Sequence, residues 1–244
     1  MTDRCFADAL GERIDLTAGE RASLVRLEER TRELRRGTSL QRAPRQNGEL
    51  YILHRGVMMS YVLLADGSRQ ILRFLFPGDL IGMPGVVYSE PPETLCAVTD
   101  CVVCPFDQAA LSTLFVEHPR LAALILVLGQ VERASLADRL AGLGRTGAKA
   151  RVAALLLDWL HRLRDGDPGM SASFALPLTQ EEIGDATGLT AVHVNRMLRQ
   201  LDEEGLTARD NGRMTIRDEQ GLIRAANYVN RYEGLALGWL PQAR

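Results

Sequence analysis

Leu178 to Leu206 reads LTQEEIGDATGLTAVHVNRMLRQLDEEGL, and its periodicity predicts a helix, a tight glycine turn and a second helix. Thr179, followed three residues later by Glu182, forms a capping box, so the first helix starts there and carries Ile183 and Ala186 inward. Gly188 supplies a turn position where a side chain would clash, and the Thr190 hydroxyl caps the second helix. Along that second helix Val194, Met197, Leu198 and Leu201 form one apolar stripe, which must pack against the first helix. A rotation of about 100° per residue then leaves Val192, Arg196 and Arg199 outside, flanked by His193 and Asn195. These residue types suit a DNA groove. Arginine donates two parallel hydrogen bonds to guanine, asparagine pairs with adenine, and valine can touch a thymine methyl.

A helical hairpin with a merely solvated basic face shares this short pattern, so the downstream sequence has to decide. Thr207 to Arg217, TARDNGRMTIR, places the hairpin-turn dipeptide Asn211-Gly212 between two strand-like runs. A helix-turn-helix followed at once by a β-hairpin is a winged helix, with Arg209, Arg213 and Arg217 available to phosphates. The expected DNA-contacting set is Thr179, Thr190, Val192, His193, Asn195, Arg196, Arg199 and Arg213.

The 244 residues suffice for two ordinary domains, each able to bury a core. Short apolar runs with glycine turns fill the first half and helical periods the second, so the expected class is α+β with separate units. A net charge of −2 excludes a protein that coats nucleic acid indiscriminately. Lys149 is the only lysine, and the arginine excess suits phosphate and base contacts, although a GC-rich genome produces the same bias. The N-terminus carries acidic residues and no long apolar core, and no apolar run reaches the roughly 18 residues of a membrane span. The expected location is the cytoplasm, without membrane association. Four cysteines (Cys5, Cys96, Cys101 and Cys104) are then core residues, metal ligands or redox sensors rather than structural disulfides.

Glu49 to Ala65, ELYILHRGVMMSYVLLA, gives two strand-like segments broken at Gly56, and Asp66-Gly67 turns the chain into SRQILRFLF. Pro77-Gly78-Asp79 and Pro84-Gly85 punctuate the next stretch, and Leu95 to Phe106 returns as strand. Such a meander predicts a small antiparallel barrel or roll. Ahead of it, Thr17 and Glu20 open a helix expected to run to about Leu34. From Pro119 a helical stripe of Leu121, Leu124, Ile125, Leu128 and Val131 continues toward Leu136, Leu140 and Leu143, a seam able to pair with a second copy. Gly142, Gly144 and Gly147 mark a hinge, followed by an amphipathic helix over Arg151 to Leu163. The expected division is a roll over 1–118, a dimerisation helix and hinge over 119–145, and a winged helix over 146–244.

The combination resembles the CRP/FNR superfamily of bacterial transcription regulators. It rests on Gly48-Glu49-Leu50-Tyr51-Ile52-Leu53-x-x-Gly56, Pro77-Gly78-Asp79-Leu80-Ile81-Gly82, the long helix near Leu121 to Leu140, Ile183-Gly184, Gly188-Leu189-Thr190 and Val194-x-Arg196-x-Leu198. The resemblance implies an N-terminal cyclic-nucleotide-binding-like antiparallel β-roll, a long dimerisation helix and a C-terminal winged helix-turn-helix. It also implies a homodimer that binds palindromic double-stranded DNA and touches RNA polymerase. Arg196 falls on the family's major-groove arginine, whereas the usual recognition glutamate is replaced by apolar sequence around Val192.

The resemblance further implies an effector pocket that includes Gly78, Asp79, Leu80 and Thr94, the first three standing for the family's Gly-Glu-Leu segment. Its phosphate-holding arginine has no counterpart, because no arginine or lysine lies between Arg73 and Arg120. A cyclic phosphate would face Glu90 and Glu93 instead, so typical cyclic AMP binding is not expected. The sequence names no cofactor. The cysteine pattern departs from that of iron-sulfur members, and Cys101-x-x-Cys104 lies on a strand where residues three apart point to opposite faces. A thiol-redox regulator and an effector-independent regulator, its pocket filled by Met58, Met59 and Met83, remain open alternatives. So does a module in which the helix-turn-helix is only structural. His54, His118 and His161 are weak haem-ligand candidates, and no nucleophile-base set or P-loop points to an enzyme.

Overall fold

The computed structural model describes residues 3–40 and 49–243, so Gly48 of the first family motif lies outside the described residues. The chain forms two compact units, the first comprising Met1–Val62, Arg73–Gln130 and Leu235–Arg244, the second Leu63–Leu72 and Val131–Gly234.

The N-terminal segment folds into α1 (Phe6–Gly11) and α2 (Ala18–Arg26), the latter opened by the expected Thr17–Glu20 capping box. Strands β1 (Arg32–Leu34), β2 (Ser39–Leu40), β3 (Leu50–Arg55), β4 (Met58–Leu63), β5 (Arg69–Leu75) and β6 (Leu80–Ile81) come next. A short α3 (Pro84–Val87), then β7 (Thr94–Ala97) and β8 (Cys101–Phe106), complete the roll. The expected helix to Leu34 therefore ends at Arg26, because Arg32–Leu34 pairs antiparallel with Cys101–Val103 instead. Propensity in this charged run is overridden by a strand partner remote in sequence.

Two four-stranded sheets result, ordered β1-β8-β3-β6 and β2-β7-β4-β5. Alternation divides the shared strands between two cores. Tyr51, Leu53, Cys101 and Val103 join Met58, Leu75 and Leu95 in the interior cluster. Leu50, Ile52, Cys104 and Phe106 face outward, onto Phe6, Leu10 and Leu24. Cys101 and Cys104 thus lie on opposite faces of β8.

Helices α4 (Gln108–Glu117) and α5 (Pro119–Arg145) meet at 117° and bury Leu111, Leu114, Leu121, Leu124 and Ile125 in the outer core, which Leu240 also joins. Among the described residues no single helix is long and apolar enough to cross a membrane. The apolar stripe divides along α5: Leu121, Leu124, Ile125 and Val131 are buried, whereas Leu126, Leu136 and Leu140 are exposed. Of the glycines expected to mark a hinge, Gly142 and Gly144 lie inside α5, and Gly147 lies in the break between α5 and α6 (Ala148–Gly166).

In the second unit α6 buries Val152, Leu156, Trp159 and Leu160 against the elements downstream of it. These are β9 (Ser173–Ala175), α7 (Gln180–Thr187), α8 (Ala191–Glu203), β10 (Thr207–Asp210), β11 (Arg213–Ile216) and α9 (Glu219–Ala226). Strand β9 was not legible in the sequence; it pairs with β11 and makes the wing a three-stranded sheet ordered β10-β11-β9.

Candidate DNA-binding interface and effector pocket

Helix α7 begins at the Thr179–Glu182 capping box, both reciprocal hydrogen bonds being present at 3.1 and 2.7 Å. It ends on Gly188 at φ +65°, a left-handed position that suits glycine. The turn is tight, since a Cβ on Gly184 would meet the Leu189 carbonyl oxygen at 2.4 Å. Thr190 caps α8 by accepting from the His193 amide at 3.3 Å. Val194, Met197, Leu198 and Leu201 are all buried, so the opposite face is presented outward by geometry rather than by chance.

On that face Val192 is 82% exposed, a cost for a large aliphatic group that a partner surface would remove. Asn195, Arg196 and Arg199 are exposed beside it, and His193 is half-buried. Arg196 Nη2 donates to His193 Nε2 at 2.7 Å, which holds the guanidinium over the N-terminal half of the helix. Arg199 is held by Glu203 one turn on at 2.9 Å, an exposed pair of little energetic weight. Thr179 and Thr190 are exposed, with their hydroxyls committed to the caps.

The wing turns at Asn211 and Gly212, both at positive φ, with Asp210 opposite Arg213. Arg213 donates to the Ser173 carbonyl at 2.7 Å, so β9 positions a cation at the wing tip. Asp202 at the end of α8 accepts from the Thr207 hydroxyl at 2.6 Å and from Arg209 at 2.9 Å, tying the wing to the recognition helix. Nothing in the sequence singles out Asp202, because a lone acid near a helix end carries no distinguishing pattern.

In the roll, the Gly78-Asp79-Leu80 segment makes a turn. Gly78 has φ +91° and donates to Leu53, while the Asp79 carboxylate accepts from the Phe76 amide at 2.8 Å. Leu80 is on β6, at the edge of one sheet, and Thr94 is on β7 of the other, opposite Tyr61. Beside Thr94, the Glu93 carboxylate accepts from buried Ser60 at 2.7 Å and from Arg73 at 3.2 Å. The sequence presents Glu93 only as a repulsive neighbour of a phosphate; its carboxylate is internally engaged, and Glu90 is exposed. Met58 lies in the roll interior and Met83 against the outer core, while Met59 is buried on the face of β4 opposite to Met58.

Burial pushes the Cys104 thiol up to about 11, with the nearby Glu28 charge adding to it, and burial likewise raises Cys5 to about 11 and Cys101 above its usual value. His118 lies 2.8 Å from the Ser23 hydroxyl and His161 3.1 Å from Glu219, so both have local structural roles.

A winged helix with an exposed recognition face, carried in one chain with an antiparallel roll, defines a DNA-binding transcription regulator rather than an enzyme. The known proteins agree. Residues 31–118 match the family model of the cyclic nucleotide-binding domain, and residues 150–225 that of the Crp-like helix-turn-helix domain. The chain belongs to the CRP/FNR superfamily of bacterial transcription regulators. It is 36% identical over 169 residues to the nitrogen fixation regulation protein FixK of Bradyrhizobium diazoefficiens, covering 69% of this chain and 70% of that one. It is 30% identical to the anaerobic regulatory protein of Haemophilus influenzae, covering 80% and 76% respectively. The structure of FixK2 from Bradyrhizobium japonicum superposes with a TM-score of 0.70 at 28% identity, covering 80% of this chain and 96% of that one.

Proposed function

We propose that the chain acts as a cytoplasmic homodimer that binds palindromic double-stranded DNA and works through RNA polymerase at its promoters. The exposed face of α8 carries this reading, since it offers Val192, Asn195, Arg196 and Arg199 from a helix whose other face is fully packed. In the proposed division, residues 1–118 sense, 119–145 dimerise and hinge, and 146–244 bind DNA. Thr179, Thr190 and the wing's Arg213 approach phosphates, while Val192, His193, Asn195, Arg196 and Arg199 enter the major groove. A two-fold dimer places two such helices about 34 Å apart, matching successive major grooves.

The regulator responds to an effector through the roll, the pocket including Gly78, Asp79, Leu80 and Thr94, but not through typical cyclic AMP binding. Glu93 supports the second point, because it already engages Arg73 and Ser60 beside Thr94, so an incoming phosphate would have to break that pair to reach the arginine. The same internal pairing, with Met58 in the roll interior, favours the alternative of effector-independent regulation. The thiol-redox alternative has less support, since burial keeps Cys101 and Cys104 protonated and sluggish.

Selection of bound sequences from a random DNA pool by the ligand-free, reduced protein tests the reading. A two-fold symmetric site is expected. In the Arg196→Ala protein, base preference should relax at one symmetric position, with a loss of about 1–3 kcal/mol. Unchanged preference in the variant would reject the assignment of α8, whereas no enrichment by the ligand-free protein would mean either that a required effector is missing or that the helix-turn-helix is only structural.

A further inference from the structure

Outside the DNA-binding face, three side chains of different chemistry converge on the outer surface of the roll. Glu28 lies just past α2, His54 near the end of β3 and Cys104 on β8; their ligand atoms all lie within 4.8 Å of one another. Strand register brings the last two together. Cys104 is paired with Ile52, and His54 is the next residue on the same face of β3. The ladder shifts between Leu53 and Arg55, so His54 sits in a bulge that re-aims its ring. Glu28 is fixed from the other side, its Oε2 accepting from the Phe6 amide at 3.0 Å.

The remaining atoms are left facing each other. Glu28 Oε1 and His54 Nδ1 are 3.5 Å apart as a long ion pair, both atoms are buried, and neither has a further hydrogen-bond partner among the described residues. The Glu28 side chain is only 8% exposed. Tetrahedral ligands held about 2.0–2.3 Å from a zinc-type ion lie about 3.3–3.8 Å from each other. The carboxylate and imidazole are already at that spacing, and a contraction of about 1 Å brings in a thiolate. On the far side of the ring, His54 Nε2 lies 3.8 Å from the Asp3 carboxylate, within ion-pair range but beyond hydrogen-bond distance.

We infer that Glu28, His54 and Cys104 form a binding site for a borderline divalent transition-metal ion of zinc type. One oxygen, one nitrogen and one sulfur donor suit such an ion and disfavour calcium or magnesium, which select oxygen. Three protein donors leave the fourth tetrahedral position to solvent or another small donor, the pattern of an exchangeable site. Binding displaces the thiol proton to solvent and involves no redox step. The ion joins the turn after α2 to both central strands of the roll, so occupancy stiffens the N-terminal segment against the sheet. The inference stands independently of the DNA-binding assignment.

Cobalt titration of the full-length, tag-free, chelator-stripped protein tests it. One cobalt per chain should bind with a thiolate-to-cobalt charge-transfer band and tetrahedral visible absorption, both removed by zinc. Cys104→Ser should abolish the charge-transfer band and Cys5→Ser should retain it. If Cys104→Ser fails to fold by circular dichroism, Glu28→Gln, which leaves the thiol in place, should weaken cobalt binding by more than about tenfold. Absence of the band in the parent, its persistence in a folded Cys104→Ser protein, or unchanged affinity in Glu28→Gln would overturn the site.

Discussion

At the residue scale, charge placement separates the two ends of the chain's function. Arg196 and Arg199 are held by neighbours on their own helix, so in the proposed complex they would reach DNA with part of their rotamer entropy already lost. Glu93 and Arg73 have the opposite situation, with side chains 11% and 15% exposed, and their pairing belongs to the fold. Glu93→Ala leaves Arg73 without this carboxylate in a largely buried place, so about 3 kcal/mol of stability should be lost. Glu93→Gln keeps an acceptor for Ser60 and should lose less. Urea midpoints of the two variants check this, and parental midpoints in both would show that the pair contributes nothing to stability. The sequence made Glu93 visible as an acid in an unexpected position, but not its partners. Arg73 is 20 residues away and Ser60 is 33, and the sheet order β7-β4-β5, with β4 antiparallel to β7, makes them neighbours.

At the element scale, legibility followed the range of the interactions. The α7–turn–α8 unit is local, and its caps, glycine turn and buried stripe all lie where the sequence pattern places them. Helix α2 also starts at its capping box, yet its end was misplaced by eight residues' worth of helix-forming sequence, because β1 exists only through its register with β8. Strand β9, three residues long, depends on β11 in the same way, and Glu28, His54 and Cys104 share no motif because register alone brings them together. The local unit also makes a sharp prediction. Alanine at Gly184 puts a Cβ 2.4 Å from a backbone oxygen that cannot rotate away, so the two helices must part at a cost of about 3 kcal/mol. Alanine at Gly188 meets side chains at 3.4 Å and mainly a left-handed backbone penalty of about 1–2 kcal/mol. DNA affinity and thermal midpoint should therefore fall further in Gly184→Ala than in Gly188→Ala, and the reverse order would show that the turn is not limited by this contact.

At the scale of the whole molecule, a net charge of −2 means that DNA affinity rests on locally placed arginines rather than bulk electrostatics, and the proposed dimer would use each of them twice. In that proposal a second copy of the recognition helix supplies the doubling, and α5 is the element offered to hold it. Its 27 residues span about 40 Å, and the inner stripe of its N-terminal half is consumed by the core of the first unit. What remains outside is Leu126, Leu136 and Leu140, 58%, 36% and 72% exposed, at spacings of ten and four residues along one side of the helix. Isolated exposed leucines need no explanation, but a row of them on a long helix fits a two-fold seam. Leu140→Glu places a charge on each copy where the seams would meet, and at so exposed a site it should change the stability of the single chain by no more than about 0.5 kcal/mol. Sedimentation velocity should show a monomer, and affinity for the symmetric site should fall by about 100-fold or more as the two half-sites lose their linkage. A variant that remains dimeric and binds with parental affinity would move the seam to another surface while leaving the DNA-binding assignment of α8 intact.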